Sequence, residues 1–328
     1  MDFDVVITTC NRYGSLALLM QDICNCSLTP RQVIVVDASD DVTPIEEIGI
    51  PVVHVQSKHK NQPFQRYLGA RLVKGDVVCF LDDDVRILDR TMFDDVIRVY
   101  EQEKKVVGVG VGIDYKNSIS DFGEARSVPV SGKWFRYFNA FTGVHIPARG
   151  RLAKAGIAGG QLVEDGAVEY FNGPMMSFRR AIVLDLFDSR LFSAYEFKLG
   201  KGEDKYISMA ACRYGILYGL ARKYLSHPSN DSHYFSGLES FHIRVIFSRW
   251  MLSARLAQAR GDRILPYVIH FAWFAGWRLV ISFLTAILRY NRDTRLTLSG
   301  QLKGVYLLLF KYRRLITHND RRWIHSAQ

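Results

Sequence analysis

The sequence predicts an α/β fold, a doubly wound and mostly parallel sheet, joined to a basic, apolar helical C-terminal region. Three observations predict it. Short apolar runs rich in β-branched residues alternate with amphipathic stretches, as in successive strand–helix units. Polar and acidic residues gather where those runs end, which is where open α/β sheets place ligands. The net charge of +10 over 328 residues is also unevenly divided: residues 240–328 hold 15 Lys and Arg against 3 Asp and Glu, a local +12, leaving −2 for everything before. The chain therefore divides into a near-neutral unit, residues 1–239, and a basic helical unit, residues 240–328.

Taken in order, residues 3–9 form an apolar strand that closes in the polar turn Thr8-Thr9-Cys10-Asn11-Arg12, and an amphipathic helix over 15–26 follows. A second strand over 32–36 ends at Asp37, and a third spans 51–55. Residues 62–73 read as a helix leading through Gly75 into the central strand, Val77 to Leu81. That run has no polar residue, as a strand buried on both faces should. Residues 106–113 form another apolar strand; its glycines at 108, 110 and 112 follow a GxGxG spacing with no helix directly after, which speaks against a nicotinamide site. Residues 118–166 are rich in Gly, Pro, Arg and aromatics with weak periodicity, the composition of a lid or binding loop.

The central strand runs out at Asp82-Asp83-Asp84. Three adjacent carboxylates repel one another unless a cation or a donor-rich ligand sits among them. A hard dication holding a diphosphate suits them, because magnesium keeps substrate phosphates among its ligands. The alternative is a solvated turn with an N-cap aspartate before the helix near Thr91. Glu203-Asp204 opens a further helix, where acidic residues serve either as dipole partners or as a carboxylate placed for proton abstraction. The five cysteines show no paired zinc spacing, and no basic-then-apolar leader opens the chain, so a reducing cytoplasmic setting is expected.

With these pieces placed, residues 3–228 resemble the family-2 glycosyltransferases, inverting enzymes of the GT-A fold. Thr8 to Arg12 is similar to the family's opening Thr-x-x-Asn-Arg turn, and Val35-Val36-Asp37-Ala38-Ser39 to its second strand. Arg66 takes the place of the arginine in the Ala-Arg-Asn-x-Gly helix, with Gln65 and Tyr67 replacing its neighbours and Gly69 retained. Leu81 to Asp84 resembles the metal-binding cluster, Gly173 to Arg180 the acceptor-side strand and its arginine, and Glu203-Asp204 the pair whose aspartate is the base. Tyr206 and Ala210 replace the Asp and Arg that usually follow this pair.

The resemblance implies a metal-dependent inverting transfer from a nucleoside-diphosphate sugar to a lipid-linked or cell-surface glycan. It implies manganese or magnesium on Asp84, Asp82 and His227, base catalysis by Asp204 or Glu203, and donor contacts from Thr8, Arg12, Asp37, Arg66, Asp82 and Asp83. Thr8 and Asp37 would meet ribose and base, and Arg66 would lie over the base or diphosphate. Residues 1–239 would then be the nucleotide-sugar-binding and catalytic domain.

The tail suggests an anionic membrane surface as partner and a peripheral place on the inner face of the cell membrane. Its arginines alternate with long aliphatic runs, unlike a groove-reading surface, so no nucleic acid is expected. Residues 240–258 read as a basic amphipathic helix containing Arg244, Arg249 and Arg255. Residues 266–288 are long enough to cross a bilayer, but a central arginine costs roughly 2.5 to 3.5 kcal/mol there. Arg278, Ser282, Thr285 and Arg289 fall on one helical stripe, expected to face lipid headgroups; residues 302–310 followed by 311–314 would make a second such element. An ordinary helical subdomain is the alternative. Two rival functions were weighed: a sugar-phosphate nucleotidyltransferase, which needs a lysine-bearing glycine loop where residues 8–15 offer only Gly14 and Arg12, and a non-catalytic membrane-bound glycan- or nucleotide-binding protein.

Overall fold

The computed structural model describes residues 1–45, 49–116, 147–228 and 237–311. Nine strands form one sheet: β1 (Phe3–Thr9), β2 (Val33–Asp37), β3 (Val52–Gln56), β4 (Val77–Asp82), β5 (Arg86–Ile87), β6 (Val106–Lys116), β7 (Gly166–Val168), β8 (Met175–Arg179) and β9 (Ile216–Pro228). The spatial order is β3-β2-β1-β4-β8-β6-β9-β5, with β7 pairing β9. Pairing is parallel across β3-β2-β1-β4 and between β6 and β9, as the strand–helix alternation predicts. The strands β5, β7 and β8 run antiparallel to their neighbours, so the sheet is mixed.

Helices cover both faces. On one side lie α1 (Tyr13–Cys24) and α3 (Met92–Gln102), whose Leu16, Leu19, Phe93 and Val96 pack on the inward residues Val5, Ile7, Val33 and Cys79. On the other lie α2 (Gln62–Ala70), α4 (Arg180–Val183), α5 (Ser189–Glu196) and α6 (Glu203–Ala211), against Val6, Ile34, Val36 and Phe80. Alternate residues of β1, β2 and β4 thus enter different cores, which explains their unbroken apolar sequence. The glycines of β6 are also accounted for by packing. A Cβ at Gly110 would collide with the ring of Phe171.

Three long helices follow: α7 (Leu238–Arg260), α8 (Leu265–Leu288) and α9 (Arg292–Tyr306), the last continuing in a π-helical turn, Leu307–Lys311. Helix α7 packs into the second core through Phe247, Met251, Leu252 and Leu256. Gly300 and Gly304 let α9 approach it closely: a Cβ on Gly300 would come 2.9 Å from that of His242. Two expectations change here. Arg244, Arg249 and Arg255 are buried against the catalytic unit and form no solvent-facing basic face. On α8, Ser282 is buried and Arg278 and Thr285 are half-buried, so most of the polar stripe turns toward the protein while Trp273, Phe283, Leu284 and Ile287 face outward. Of the loop expected over 118–166, residues 118–146 lie outside the described residues, as do the basic residues at 313 and 314.

Candidate functional site

The C-terminal ends of β1, β2 and β4 meet at one edge, because β1 pairs in parallel with both neighbours and aligns Thr8 with Asp82 and Thr9 with Asp37. The acidic cluster therefore lies beside the Thr8–Arg12 turn. Asp83 is buried and accepts hydrogen bonds from Thr9 Oγ1 at 2.7 Å and Arg12 at 3.4 Å. Arg12 also donates to Asp84 at 2.6 Å. His227, at the end of β9, reaches Asp84 from the other side with Nε2 3.3 Å from Oδ1.

These contacts split the three carboxylates electrostatically. Burial pushes Asp82 up to about 7 and Asp83 up to about 6, against the pull of Arg66 on the former and of Thr9 and Arg12 on the latter. Burial also acts on Asp84, but hydrogen bonds and charge from His227 and Arg12 hold it below the usual carboxylate range. His227 is correspondingly raised: desolvation lowers it, and the neighbouring Asp84 more than reverses that. Asp82, Asp84 and His227 each offer a ligand atom, all within 4.8 Å of one another, and His227 Nδ1 is buried with no hydrogen-bond partner. A donor set of two carboxylates and an imidazole fits a divalent cation that keeps positions for diphosphate oxygens.

Arg66 is placed differently from the sequence expectation. Its side chain is fully buried beneath the cluster, where Nη2 donates to Asp82 Oδ1 at 2.6 Å and to the Gly173 carbonyl at 3.2 Å, and Nη1 donates to Glu203 Oε1 at 3.2 Å. It ties Asp82 to the start of α6. Gln62, unmarked in the sequence reading, donates to the same oxygen of Asp82 at 2.8 Å. Asp37 is likewise fully buried, bonded by Tyr13 Oη, by the Ser39 amide at 2.8 Å and by His54 Nε2 at 3.1 Å. Burial would raise its pKa, and these bonds outweigh it and lower it. Tyr13 and His54 are thus the side chains through which Asp37 acts on its surroundings. Thr8 is buried with Oγ1 unpartnered beside the acidic edge.

Glu203 and Asp204 have different partners. Glu203 is held by Arg66 and by Tyr195 Oη, which also accepts from the Glu203 amide at 3.2 Å. Asp204 is 5% exposed and faces Gly173 across ordinary van der Waals contact. Its only described side-chain partner is Lys205, 3.4 Å away. Burial raises its pKa, with Lys205 opposing. Ser208 Oγ anchors the approach of the chain by donating to the Asp204 carbonyl and accepting from the Phe171 amide. Arg179, expected on the acceptor side, pairs across the sheet with Val77 at the far end of β4 and caps α3 through the Tyr100 carbonyl. Arg66 therefore lies between Asp82 of the acidic cluster and Glu203 at the start of α6.

Comparison with known families matches residues 4–187 to the family described as Glycosyl transferase family 2. Among solved structures, S. aureus TarS 1–349 in complex with UDP-GlcNAc is 14% identical, with a TM-score of 0.53 over 100% of this chain and 89% of that one. A second structure of S. aureus TarS 1–349 gives 15% identity and a TM-score of 0.51 over the same shares. GalNAc-T7 with UDP, GalNAc and Mn2+ is 12% identical, with a TM-score of 0.54 over 95% of this chain and 57% of that one. At these identities the likeness speaks for the fold. Comparison with curated protein sequences found no match.

Proposed function

The chain belongs to glycosyl transferase family 2, and from that premise we propose that it is a divalent-metal-dependent inverting glycosyltransferase acting on a nucleoside-diphosphate sugar. The acceptor is a lipid-linked or cell-surface glycan. One observation carries this reading: a cation-compatible cluster, Asp82, Asp84 and His227, is linked through a single buried arginine, Arg66, to Glu203 at the start of α6, beside a carboxylate, Asp204, whose described side-chain partner is Lys205. The UDP-GlcNAc and the UDP with Mn2+ held by the similar structures support a nucleotide-sugar donor and a manganese or magnesium ion.

Bound at the cluster, the metal would neutralise charge at the departing diphosphate oxygens. Arg12, already against Asp83 and Asp84, adds positive charge at the same edge. Thr8 and the Tyr13–Asp37–His54 group flank the position of ribose and base. Asp204 takes the acceptor hydroxyl proton on the other side of the sugar. Its raised pKa makes it a better base than an exposed aspartate, and the hydroxyl becomes acidic only as positive charge develops at the sugar carbon. Glu203, locked by Arg66 and Tyr195, fixes the start of α6 and thereby the base. A non-catalytic binding protein would have no use for this second carboxylate.

The outward face of α8 supports a peripheral place on a membrane on the cytoplasmic side. Leu265, Ile269, Phe283, Ile287 and Leu288 are exposed, Leu288 by 81%, with Arg263, Arg289, Arg292 and Arg295 exposed around its ends. An apolar ridge bordered by cations suits an interfacial helix, with apolar burial as the main attraction and the basic rim favouring anionic lipid.

Calorimetry of nucleoside diphosphate binding with manganese tests the metal assignment. Asp84→Ala should stay folded and lose metal-dependent binding. Parental affinity in that variant would remove Asp84 from the cation site.

A further inference from the structure

Lysine is seldom buried unless it is paired, and a cation in the first turn of a helix runs against the helix dipole. Lys205 meets both costs: it stands in the first turn of α6 and is 9% exposed. Its ammonium donates to Asp204 Oδ2 at 3.4 Å and lies over the ring of Tyr170, 5.5 Å from the centroid. Successive residues of a helix do not face each other, so this contact requires the two side chains to fold together over the helix start. Gly202 leaves the room. It lies in the left-handed region, with φ 78, and a Cβ there would come 3.7 Å from Asp204 Oδ1 and 3.9 Å from Lys205 Cδ.

The groups around Asp204 pull in both directions. Burial comes first and favours the neutral acid, and the charge of Glu203 adds to it; the charge and amide of Lys205, and the charge of Arg66, favour the carboxylate. Arg66 divides its donors among Asp82, Glu203 and the Gly173 carbonyl. Tyr170 and Tyr115 of β6, the latter raised by burial, are the tyrosines beside the pair. Among the described residues, Lys205 is therefore the cation in direct contact with Asp204.

We propose that Lys205 is a positioning residue for the transfer: its ammonium, fixed between Asp204 and the face of Tyr170, holds the Asp204 carboxylate in place and in its charged form. No proton passes through the lysine; it acts through the base. An opposite charge within such a distance holds a carboxyl down by about 1 to 3 pH units. The inference rests on the reading of Asp204 as the base, and its test separates the two.

Two titrations of the full chain test it. One follows the Asp204 carboxyl carbon by NMR with isotope-labelled aspartate, assigned by its loss in Asp204→Asn; the other follows the acid limb of the transfer rate at saturating donor and acceptor. Lys205→Met keeps an apolar contact for Tyr170 and removes the charge, so both titrations should move upward by about one pH unit or more, with transfer on the acid limb falling about tenfold and the high-pH rate little changed. Lys205→Arg should restore the parental limb. Lys205→Gln should behave like Lys205→Met and takes its place if that variant does not fold. An Asp204 titration that stays at the parental pH in the neutral variants would overturn the proposal, as would an equal loss of rate at every pH, the mark of a structural anchor alone. A carboxyl titration that moves while the acid limb does not would support the hold of Lys205 on Asp204 and remove Asp204 as the base.

Discussion

In the catalytic unit Arg66 is buried between two carboxylates, Asp82 and Glu203, whereas in the helical tail Arg244 is buried against a backbone carbonyl, that of Lys198 at 2.7 Å, and Arg249 against that of Gly156. The difference teaches that a count of basic residues does not indicate which way they point. The +12 of the tail suggested a charged surface, yet Arg244, Arg249 and Arg255 spend their guanidinium groups on docking α7 to the catalytic unit. Among the described residues the outward face of α8 is mainly apolar, with Arg263, Arg289 and Arg292 exposed around its ends.

The comparison can be broken by removing one arginine from each region. Arg66→Ala leaves Asp82 and Glu203 facing each other with no counter-ion, and breaking a buried ion pair costs about 3 to 5 kcal/mol. Arg244→Ala removes a charged hydrogen bond and leaves a carbonyl, for about 1.5 to 3 kcal/mol. Denaturant unfolding of both variants checks the order. Equal losses would mean that Arg66 is one more structural anchor, with no particular bond between the two halves of the site.

A smaller effect sharpens the same contrast from the base. Asp204 has its pKa raised by burial, so it takes up a proton, and loses its function as base, at a pH above the ordinary aspartate value of about 3.9. Transfer at saturating donor should therefore fall as pH is lowered while the enzyme is still folded, with the acid limb displaced upward. A limb at the ordinary carboxylate value would show that an exposed group controls the rate.

Much of this arrangement was legible in the sequence. The apolar strands and the Asp82-Asp83-Asp84 end located the site, because period and strand-end chemistry are local properties. The order of β8, β6 and β9 was not legible, since antiparallel insertion beside β4 depends on long-range pairing between Val78 and Phe178. Arg66 is legible as a site residue from its helix motif, but its burial is not, because that depends on Glu203, 137 positions away. Tyr195 and Gln62 carried no signal beyond their polarity, although each touches a site carboxylate. The polar stripe of α8 was read correctly as a stripe and given the wrong side, because periodicity defines a face without saying what covers it.

The proposal's central claim is that cation holding and proton abstraction fall to separate carboxylates, with Arg66 joining Asp82 to Glu203, the sequence neighbour of Asp204. Asp204→Asn tests it most directly when donor affinity in manganese and the transfer rate are measured on the same preparation. The account predicts unchanged donor affinity and a rate lower by about 10² to 10⁴. Near-parental turnover at saturating acceptor, or a loss of donor affinity that matches the loss of rate, would contradict it.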